Sequence, residues 1–288
     1  MAAMDKDSEN KTSLKGSLSV LIPVYNAPYD LAKSLNSLAQ VTTPLDIVVV
    51  DDGSRPPLQI PELIGSHRLI LLRNRTNAGI ERALNTGLRY ILTQGYEFVA
   101  RLDAGDICTP DRFAKQLHYM RQNPEVMLVG SYVEHIDTQG KPVFTQYVPL
   151  SPQDIRRQMH LNSSFVHPAV MIRCSAFREL GLYSYDYPAA EDYELFFRFV
   201  KRYPVGNLNE VLTFKEISPY SISLTKRKKQ LRSRLRIQLK YFDPALKESY
   251  IGVLKTLILY LTPYNLILKL KQFLGIFKKK KMREQESL

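Results

Sequence analysis

The stretch Tyr96-Glu97-Phe98-Val99-Ala100-Arg101-Leu102-Asp103-Ala104-Gly105-Asp106 leads a short apolar run into two closely spaced carboxylates. The run reads as a buried strand and Thr109-Pro110-Asp111 as the opening of a helix, which puts both acids on the loop between them. Such a loop lies where open α/β sheets bind ligands, beyond the carboxyl ends of the strands. Close carboxylates repel and cost desolvation energy, so a pair at a strand end makes chemical sense where a hydrated divalent cation joins them. A helix-entry loop with acidic caps would use the same residues.

Three further groups could do chemistry. Asp51-Asp52-Gly53-Ser54 follows an apolar run and could be a polar turn, or a site where one carboxylate accepts a base or ribose hydrogen bond while the ring of Tyr25 stacks on the base. Glu191, Asp192 and Glu194 occupy the first turn of a helix whose Tyr193, Phe196, Phe197 and Val200 form an apolar face. Acids favour a helix N-terminus for electrostatic reasons alone, so capping competes with catalysis there. His167, directly before Pro168, could face a sugar or a metal, although a lone His beside Pro is commonly structural. His118, His135 and His160 read as structural.

The elements that must position these groups alternate. Leu18 to Val24 reads as a first strand, Tyr29 to Gln40 as a helix, and Asp46 to Val50 as a nearly all-apolar strand of the kind buried on both faces. Arg68 to Leu72 reads as a third strand, and Ile80, Ala83, Leu84, Gly87, Leu88 and Ile91 keep helical spacing after Asn77-Ala78-Gly79. Right-handed parallel crossovers then place the Tyr25, Asp52 and Asp103 loops along one edge, a candidate nucleotide cleft. After a helix from Phe113 to Asn123 the alternation stops: Val126 to Ile136, Pro142 to Val148 and Ala169 to Arg173 read as strands, and Gly181 closes a short helix. No Gly-x-Gly-x-x-Gly follows the first strand and no Gly-Lys-Ser/Thr loop occurs, which argues against a dinucleotide fold or an ATPase. Phosphates would need neutralising otherwise, by a metal at Asp103 and Asp106 helped by Arg101.

The 288 residues carry 40 Lys+Arg against 28 Asp+Glu, a net charge of +12, and only two cysteines. Two unpaired cysteines without metal-ligand spacing fit a reducing compartment. The first sixteen residues are polar and lack an apolar signal core, and they read as a disordered tail. Much of the positive excess lies late, in Lys226-Arg227-Lys228-Lys229, Arg232, Arg234, Arg236, Lys240 and Lys278 to Lys281. The division expected is 1–16 tail, 17–223 α/β domain and 224–288 basic helical region. Lys226 to Lys240 is a helix candidate with Leu231, Leu235 and Leu239 at helical spacing, and Tyr250 to Phe277 is apolar but interrupted by Lys255, Pro263, Lys269 and Lys271. Its longest uncharged run, Thr256 to Leu268, is too short to span a bilayer, which needs about 20 residues. Helices lying in the headgroup layer fit better, with the terminal lysines attracted to anionic lipid; a helical cap packed on the front domain is the alternative. A nucleic-acid binder would also be basic, but the tail alternates charge with an apolar face and leaves the front domain unexplained. No nucleic acid is expected as a partner.

Taken in order, Pro23-Val24-Tyr25-Asn26, Val50-Asp51-Asp52-Gly53-Ser54, Asn77-Ala78-Gly79, Arg101-Leu102-Asp103-Ala104-Gly105-Asp106 and Ala190-Glu191-Asp192-Tyr193 resemble the motif series of the family 2 inverting glycosyltransferases, over roughly Ser17 to Ser223. The resemblance implies a GT-A fold, that is, a Rossmann-like, mixed and mainly parallel sheet flanked by helices, together with a nucleotide-sugar donor and a divalent metal, Mn2+ or Mg2+. By position it implies that Pro23, Tyr25, Asp52, Asn77, Arg101 and Asp103 bind the nucleotide. Asp103 and Asp106 would hold the metal, Asp192 beside Glu191 would be the general base, and His167 would meet sugar or acceptor. The expected activity is inverting transfer of a sugar, UDP-linked, to a saccharide or lipid-linked acceptor in bacterial surface polysaccharide assembly, at the cytoplasmic face of the membrane. The competing readings are a nucleotidyltransferase, which the missing Gly-rich, Lys-containing first loop opposes, a donor-binding but catalytically impaired homologue, and a basic membrane or nucleic-acid binder. One position departs: the family usually writes the acidic loop Asp-Ala-Asp-Asp, and the third residue here is Gly105. Asp106 could replace it, Asp103 could bind alone with waters, or the metal could arrive only with the donor.

Overall fold

β1 (Leu18–Val24) and β2 (Asp46–Asp51) have no exposed residue, because each has a parallel neighbour on both edges and helices on both faces. Their side chains divide by the strand's period of two. Val20, Ile22, Ile47 and Val49 pack on one side with Leu31, Leu35 and Leu38 of α1 (Pro28–Leu38). Leu21, Val48 and Val50 pack on the other with Ala83, Leu84, Leu88 and Ile91 of α2 (Ile80–Gln94). The computed structural model describes residues 17–217 and 226–263.

Beyond β2 the chain forms a short antiparallel pair, β3 (Leu63–Ile64) and β4 (His67–Arg73), and returns after α2 as β5 (Phe98–Arg101). β6 (Ile107–Cys108), α3 (Arg112–Gln122), β7 (Leu128–Ile136), β8 (Pro142–Gln146) and α4 (Pro152–Leu161) follow. A 3-10 turn over His167–Ala169 then leads into β9 (Met171–Arg173), α5 (Ala176–Leu180), α6 (Glu191–Arg202) and β10 (Val205–Glu216). Among the described residues the strands make one sheet in the order β3-β4-β2-β1-β5-β9-β7-β10-β6, with β8 paired to β7. The pairings of β1 with β2 and β5, of β2 with β4, and of β7 with β10 are parallel. β9 enters antiparallel between β5 and β7, which is where the expected alternation ends.

Two longer elements, β10 and α4, escape the sequence reading, as do the two-residue strands β3 and β6. β10 has twelve residues and lies parallel to β7, with register shifts between Leu208 and Val211 and between Val211 and Thr213. Those irregularities break the alternation by which a strand is read from sequence. α4 is capped by Ser151, whose Oγ accepts the Asp154 backbone N–H at 3.1 Å.

The basic region is not a free appendage over its described part. α7 (Arg227–Lys240) buries Leu231, Ser233, Ile237 and Gln238. It is held by hydrogen bonds from Ser233 to the Pro188 carbonyl, from Arg234 to the Leu161 carbonyl and from Gln238 to the His160 carbonyl. Tyr241 stacks on Phe197 of α6 at 4.7 Å between ring centroids. The apolar face expected from Leu231, Leu235 and Leu239 is therefore corrected: Leu239 is exposed, and the docking face mixes apolar and polar groups that satisfy carbonyls at the ends of other elements. α8 (Lys247–Leu261) packs on α4 and α7 through Ser249, Gly252 and Thr256, and Ser249 bonds the His160 imidazole at 2.9 Å. Its Tyr250, Ile251, Leu254, Ile258 and Leu261 stay exposed. No described helix is long and apolar enough to cross a membrane. The expected N-terminal tail, the stretch from Tyr264 to Phe277 and Lys278 to Lys281 lie outside the described residues.

Candidate active site

Three loops at the carboxyl ends of β1, β2 and β4 are tied into one wall by the residues singled out above. Asn26, at φ 50°, donates its backbone N–H to Ser54 Oγ at 2.9 Å, and its side-chain oxygen accepts the Arg55 N–H at 2.9 Å. Asp51 is fully buried and receives the N–H groups of Ser54 and Leu58, with Arg73 at 3.2 Å. Although burial opposes ionisation of Asp51, these partners hold its carboxyl below the usual range. Gly53, at φ 78°, lies so close to the Thr76-Asn77 backbone that a Cβ there would stand 2.5 Å from the Thr76 carbonyl carbon.

Asp52 completes the wall and carries a correction. Its carboxylate accepts Asn74 Nδ2 at 2.7 Å and the N–H groups of Ala78 and Gly79 at 3.1 and 2.9 Å, and it is buried. The base contact expected of it is subordinate to this duty: most of the carboxylate's lone pairs already hold the Asn74 amide and the Ala78 and Gly79 backbone. Asn77 is exposed and closes the turn by accepting the Gly79 N–H. The wall encloses a cavity of about 720 Å³ lined by Pro23, Tyr25, Asp52, Asn77 and the first turn of α2, within the usual size of ligand pockets. Tyr25 is half exposed, so its ring is free to stack. Arg82 and Tyr185 also line this cavity and carry no site signal in the sequence, and Lys226 and Lys229, read there only as part of the basic run, line it as well.

A second cavity, about 760 Å³, shares Pro23, Val24, Tyr25, Ile80 and Ala189 with the first and holds Asp103, Asp106, His167, Glu191, Asp192 and Lys215. The strand-end acids and the helix-start acids therefore meet, although almost ninety residues separate Asp103 from Asp192. Ala189, at φ 62°, is an uncommon left-handed residue just before α6, and the turn it makes sets the start of that helix. Glu191 is buried and its Oε2 has no hydrogen-bond partner; burial and the neighbouring Asp192 push its pKa up to about 8. Burial also raises the Asp192 pKa, against the Tyr193 N–H that its carboxylate accepts at 2.7 Å.

Arg101 is corrected as a phosphate contact. It is 1% exposed and its guanidinium is spent on the carbonyls of Leu21 and Leu102, on Asp103 Oδ1 and, at 3.3 Å, on His167 Nε2. It acts on any ligand through Asp103. His167 Nε2 also meets the Tyr183 hydroxyl at 2.7 Å. Burial first, and Arg101 second, lower the imidazole's pKa to about 3, which favours the neutral ring with Nε2 facing both Arg101 and Tyr183. His167 holds Arg101 and Tyr183 in place, and that nitrogen is closed to metal or sugar.

The expected metal pair is also altered. Lys215 Nζ lies 3.5 Å from Asp103 Oδ2 and 3.3 Å from Asp106 Oδ2. Burial opposes ionisation of Asp103, but Arg101 and Lys215 outweigh it and hold that carboxyl well below its ordinary range. Asp106 goes the other way, to about 7, chiefly through burial, which the adjacent Lys215 only partly offsets. Gly105 sits at φ 98°, a backbone that an L side chain rarely adopts, which accounts for the missing third carboxylate. Among the described residues no group of three His, Cys, Asp or Glu side chains could hold a metal. Each carboxylate already faces a cation of the chain, so the residues present do not fit a resident divalent ion.

Comparison with known proteins agrees with this architecture. The family model "Glycosyl transferase family 2" matches residues 19–181, ending before α6. The amylovoran biosynthesis glycosyltransferase AmsE of Erwinia amylovora is 34% identical over 240 residues, covering 80% of this chain and 87% of that protein. The UDP-Gal:alpha-D-GlcNAc-diphosphoundecaprenol beta-1,3-galactosyltransferase of Escherichia coli is 30% identical over 67% of this chain and 72% of its own. In fold, TarS 1-349 of S. aureus, solved in complex with UDP-GlcNAc, superimposes at a TM-score of 0.60 with 16% identity, over 84% of this chain and 72% of that one. Sequence and fold together place the chain in glycosyl transferase family 2, as a GT-A glycosyltransferase among relatives that build bacterial polysaccharides.

Proposed function

We propose that the chain transfers a sugar from a nucleoside-diphosphate sugar, UDP-linked, to a saccharide or lipid-linked acceptor with inversion of the anomeric carbon, in the assembly of a bacterial surface polysaccharide. The observation that carries this reading is the continuity of the two cavities through Tyr25 and Ala189. A base stacked on Tyr25 in the first would direct its diphosphate and sugar toward Asp103 and Asp192 in the second. Asp192 then takes the proton of the acceptor hydroxyl as that oxygen bonds the anomeric carbon. The electron pair of the breaking C–O bond leaves with the nucleoside diphosphate. A raised carboxyl pKa suits a general base, since proton affinity and position set its effect. Glu191 beside it, largely protonated at neutral pH, is placed to donate a hydrogen bond to the acceptor or sugar.

Relatives support the substrate classes: the Escherichia coli relative is named for a UDP-linked donor and a diphosphoundecaprenol-linked acceptor. The exposed apolar residues of α8, beside Lys247 and Lys255, support contact with an anionic membrane surface where a lipid-linked acceptor would lie. The test is incubation of the full chain with a panel of UDP-sugars and a short saccharide or polyprenyl-diphosphate-linked acceptor, with product configuration read by NMR. An inverted glycoside from one donor supports the reading, and a retained configuration overturns the single in-line step.

A further inference from the structure

β10 joins β6 antiparallel, with Thr213 opposite Cys108 and Phe214 opposite Ile107. Continuing that register by one residue sets Lys215 opposite Asp106, so the backbone ladder, rather than chance rotamer choice, delivers an ammonium to the acidic loop. There it spans Asp103 Oδ2 and Asp106 Oδ2 at 3.5 and 3.3 Å, and its side chain keeps 32% of its surface exposed within the cavity that holds Asp192. An ammonium has three donors, so one remains for a ligand oxygen after both carboxylates are met. The guanidinium of Arg101 fixes the other oxygen of Asp103, and Gly105 cannot supply a third carboxylate without backbone strain.

We propose that Lys215 takes the place a divalent cation would have: seated between Asp103 and Asp106, it binds the donor's diphosphate and stabilises the charge left on it at departure, so that donor binding needs no added metal. This rests on the nucleotide-sugar reading above. Preorganised positive charge aimed at an oxyanion is effective whether carried by a metal or an ammonium, because the site need not reorganise as charge develops. Arg82, Lys226 and Lys229 at the adjoining cavity add to the same field. The lysine is a charged contact for the leaving group; the bond changes remain those of the single displacement with Asp192 as base.

The test titrates the full chain with UDP, GDP and dTDP, first in chelator and then in Mn2+, and repeats this with Lys215→Met and Lys215→Arg. Manganese alone is titrated in parallel and followed by its EPR signal. The expected result is that at least one diphosphate binds wild type in chelator, with Mn2+ changing its Kd by less than about threefold. Lys215→Met should weaken that binding by about tenfold or more, the scale of a lost charged hydrogen bond, and Lys215→Arg should restore most of it. Freed of the lysine, the acid pair of Lys215→Met should also bind Mn2+ that wild type does not. Wild-type binding that vanishes in chelator, or Lys215→Met that binds like wild type, would overturn the lysine's role while leaving the donor site in place. Absence of binding by every diphosphate in both conditions would instead overturn the donor-site reading and this inference with it.

Discussion

Asp52 accepts the Gly79 backbone N–H at 2.9 Å, and through that bond the turn after β2 fixes the N-terminus of α2. Asp52→Asn keeps the shape but replaces one acceptor oxygen by a donor that faces backbone N–H groups. The expected result is a loss of about 1–3 kcal/mol of stability, together with weaker UDP binding, since the cavity wall moves. Thermal unfolding and calorimetric titration check it; normal stability with weak binding would return Asp52 to a direct base contact.

Asp192→Asn should abolish transfer, by about 10²–10⁴-fold as for loss of a general base, while leaving the affinity for UDP nearly unchanged. Steady-state rates and calorimetry on the same preparation separate the two. A variant with normal turnover would remove Asp192 from the base role.

The transfer rate should fall as pH drops through the raised pKa of Asp192, because only the ionised carboxylate can take a proton. A pH profile of kcat/KM in wild type is the measurement. Because kcat/KM reports the free enzyme, an acid limb at an ordinary aspartate value would mean that burial does not raise the Asp192 carboxyl there.

Stability should respond to Glu191 with the opposite sign from an ordinary paired acid. Its pKa rises from 4.5 to about 8 on folding, so the folded protein holds a proton that the unfolded chain has lost over that interval. Its contribution is present at low pH and lost as pH rises toward 8. His160 and His167, whose pKa values are lowered by burial, act in the other direction, an effect that fades above pH 6.5 as the imidazoles of the unfolded chain lose their protons. Asp106, raised to about 7, adds to the decline in the lower part of the remaining range. Denaturant unfolding between pH 6.5 and 8 should therefore show falling stability, with a shallower slope in Glu191→Gln. Equal slopes would mean that Glu191 ionises in the folded state as it does in the unfolded chain.

Tyr241→Ala removes a ring stacked on Phe197 and a hydroxyl 3.0 Å from Glu194, and should cost about 2–4 kcal/mol. A lower melting temperature would show α7 to be part of the folded unit; an unchanged one would mean that its docking contributes nothing to stability. For α8, flotation with anionic vesicles should be reduced in Leu254→Asp/Ile258→Asp, both exposed positions. Equal flotation would leave the apolar face without a membrane role.

Much of the front half is legible from the chain itself. A β-branched run such as Ile47-Val48-Val49-Val50 reads as a strand covered on both faces, and the apolar spacing of α2 from Ile80 to Ile91 as a helix packed by one face, so the parallel order and the edge carrying Tyr25, Asp52 and Asp103 follow from their alternation. The acids at the start of α6 are legible in the same way, as is Gly53 as a turn residue. What a side chain is already bonded to is not local information. Arg101 reads as a phosphate ligand until the sheet buries it among the carbonyls of Leu21 and Leu102. His167 reads as open to sugar until Arg101 and Tyr183 close its Nε2. Lys215 carries no signal at all, because its partners lie over a hundred residues away and its strand is bulged. Propensity and periodicity act between neighbours in the chain, whereas charge pairing acts between neighbours in space, and only the closed sheet decided which cation meets Asp103 and Asp106.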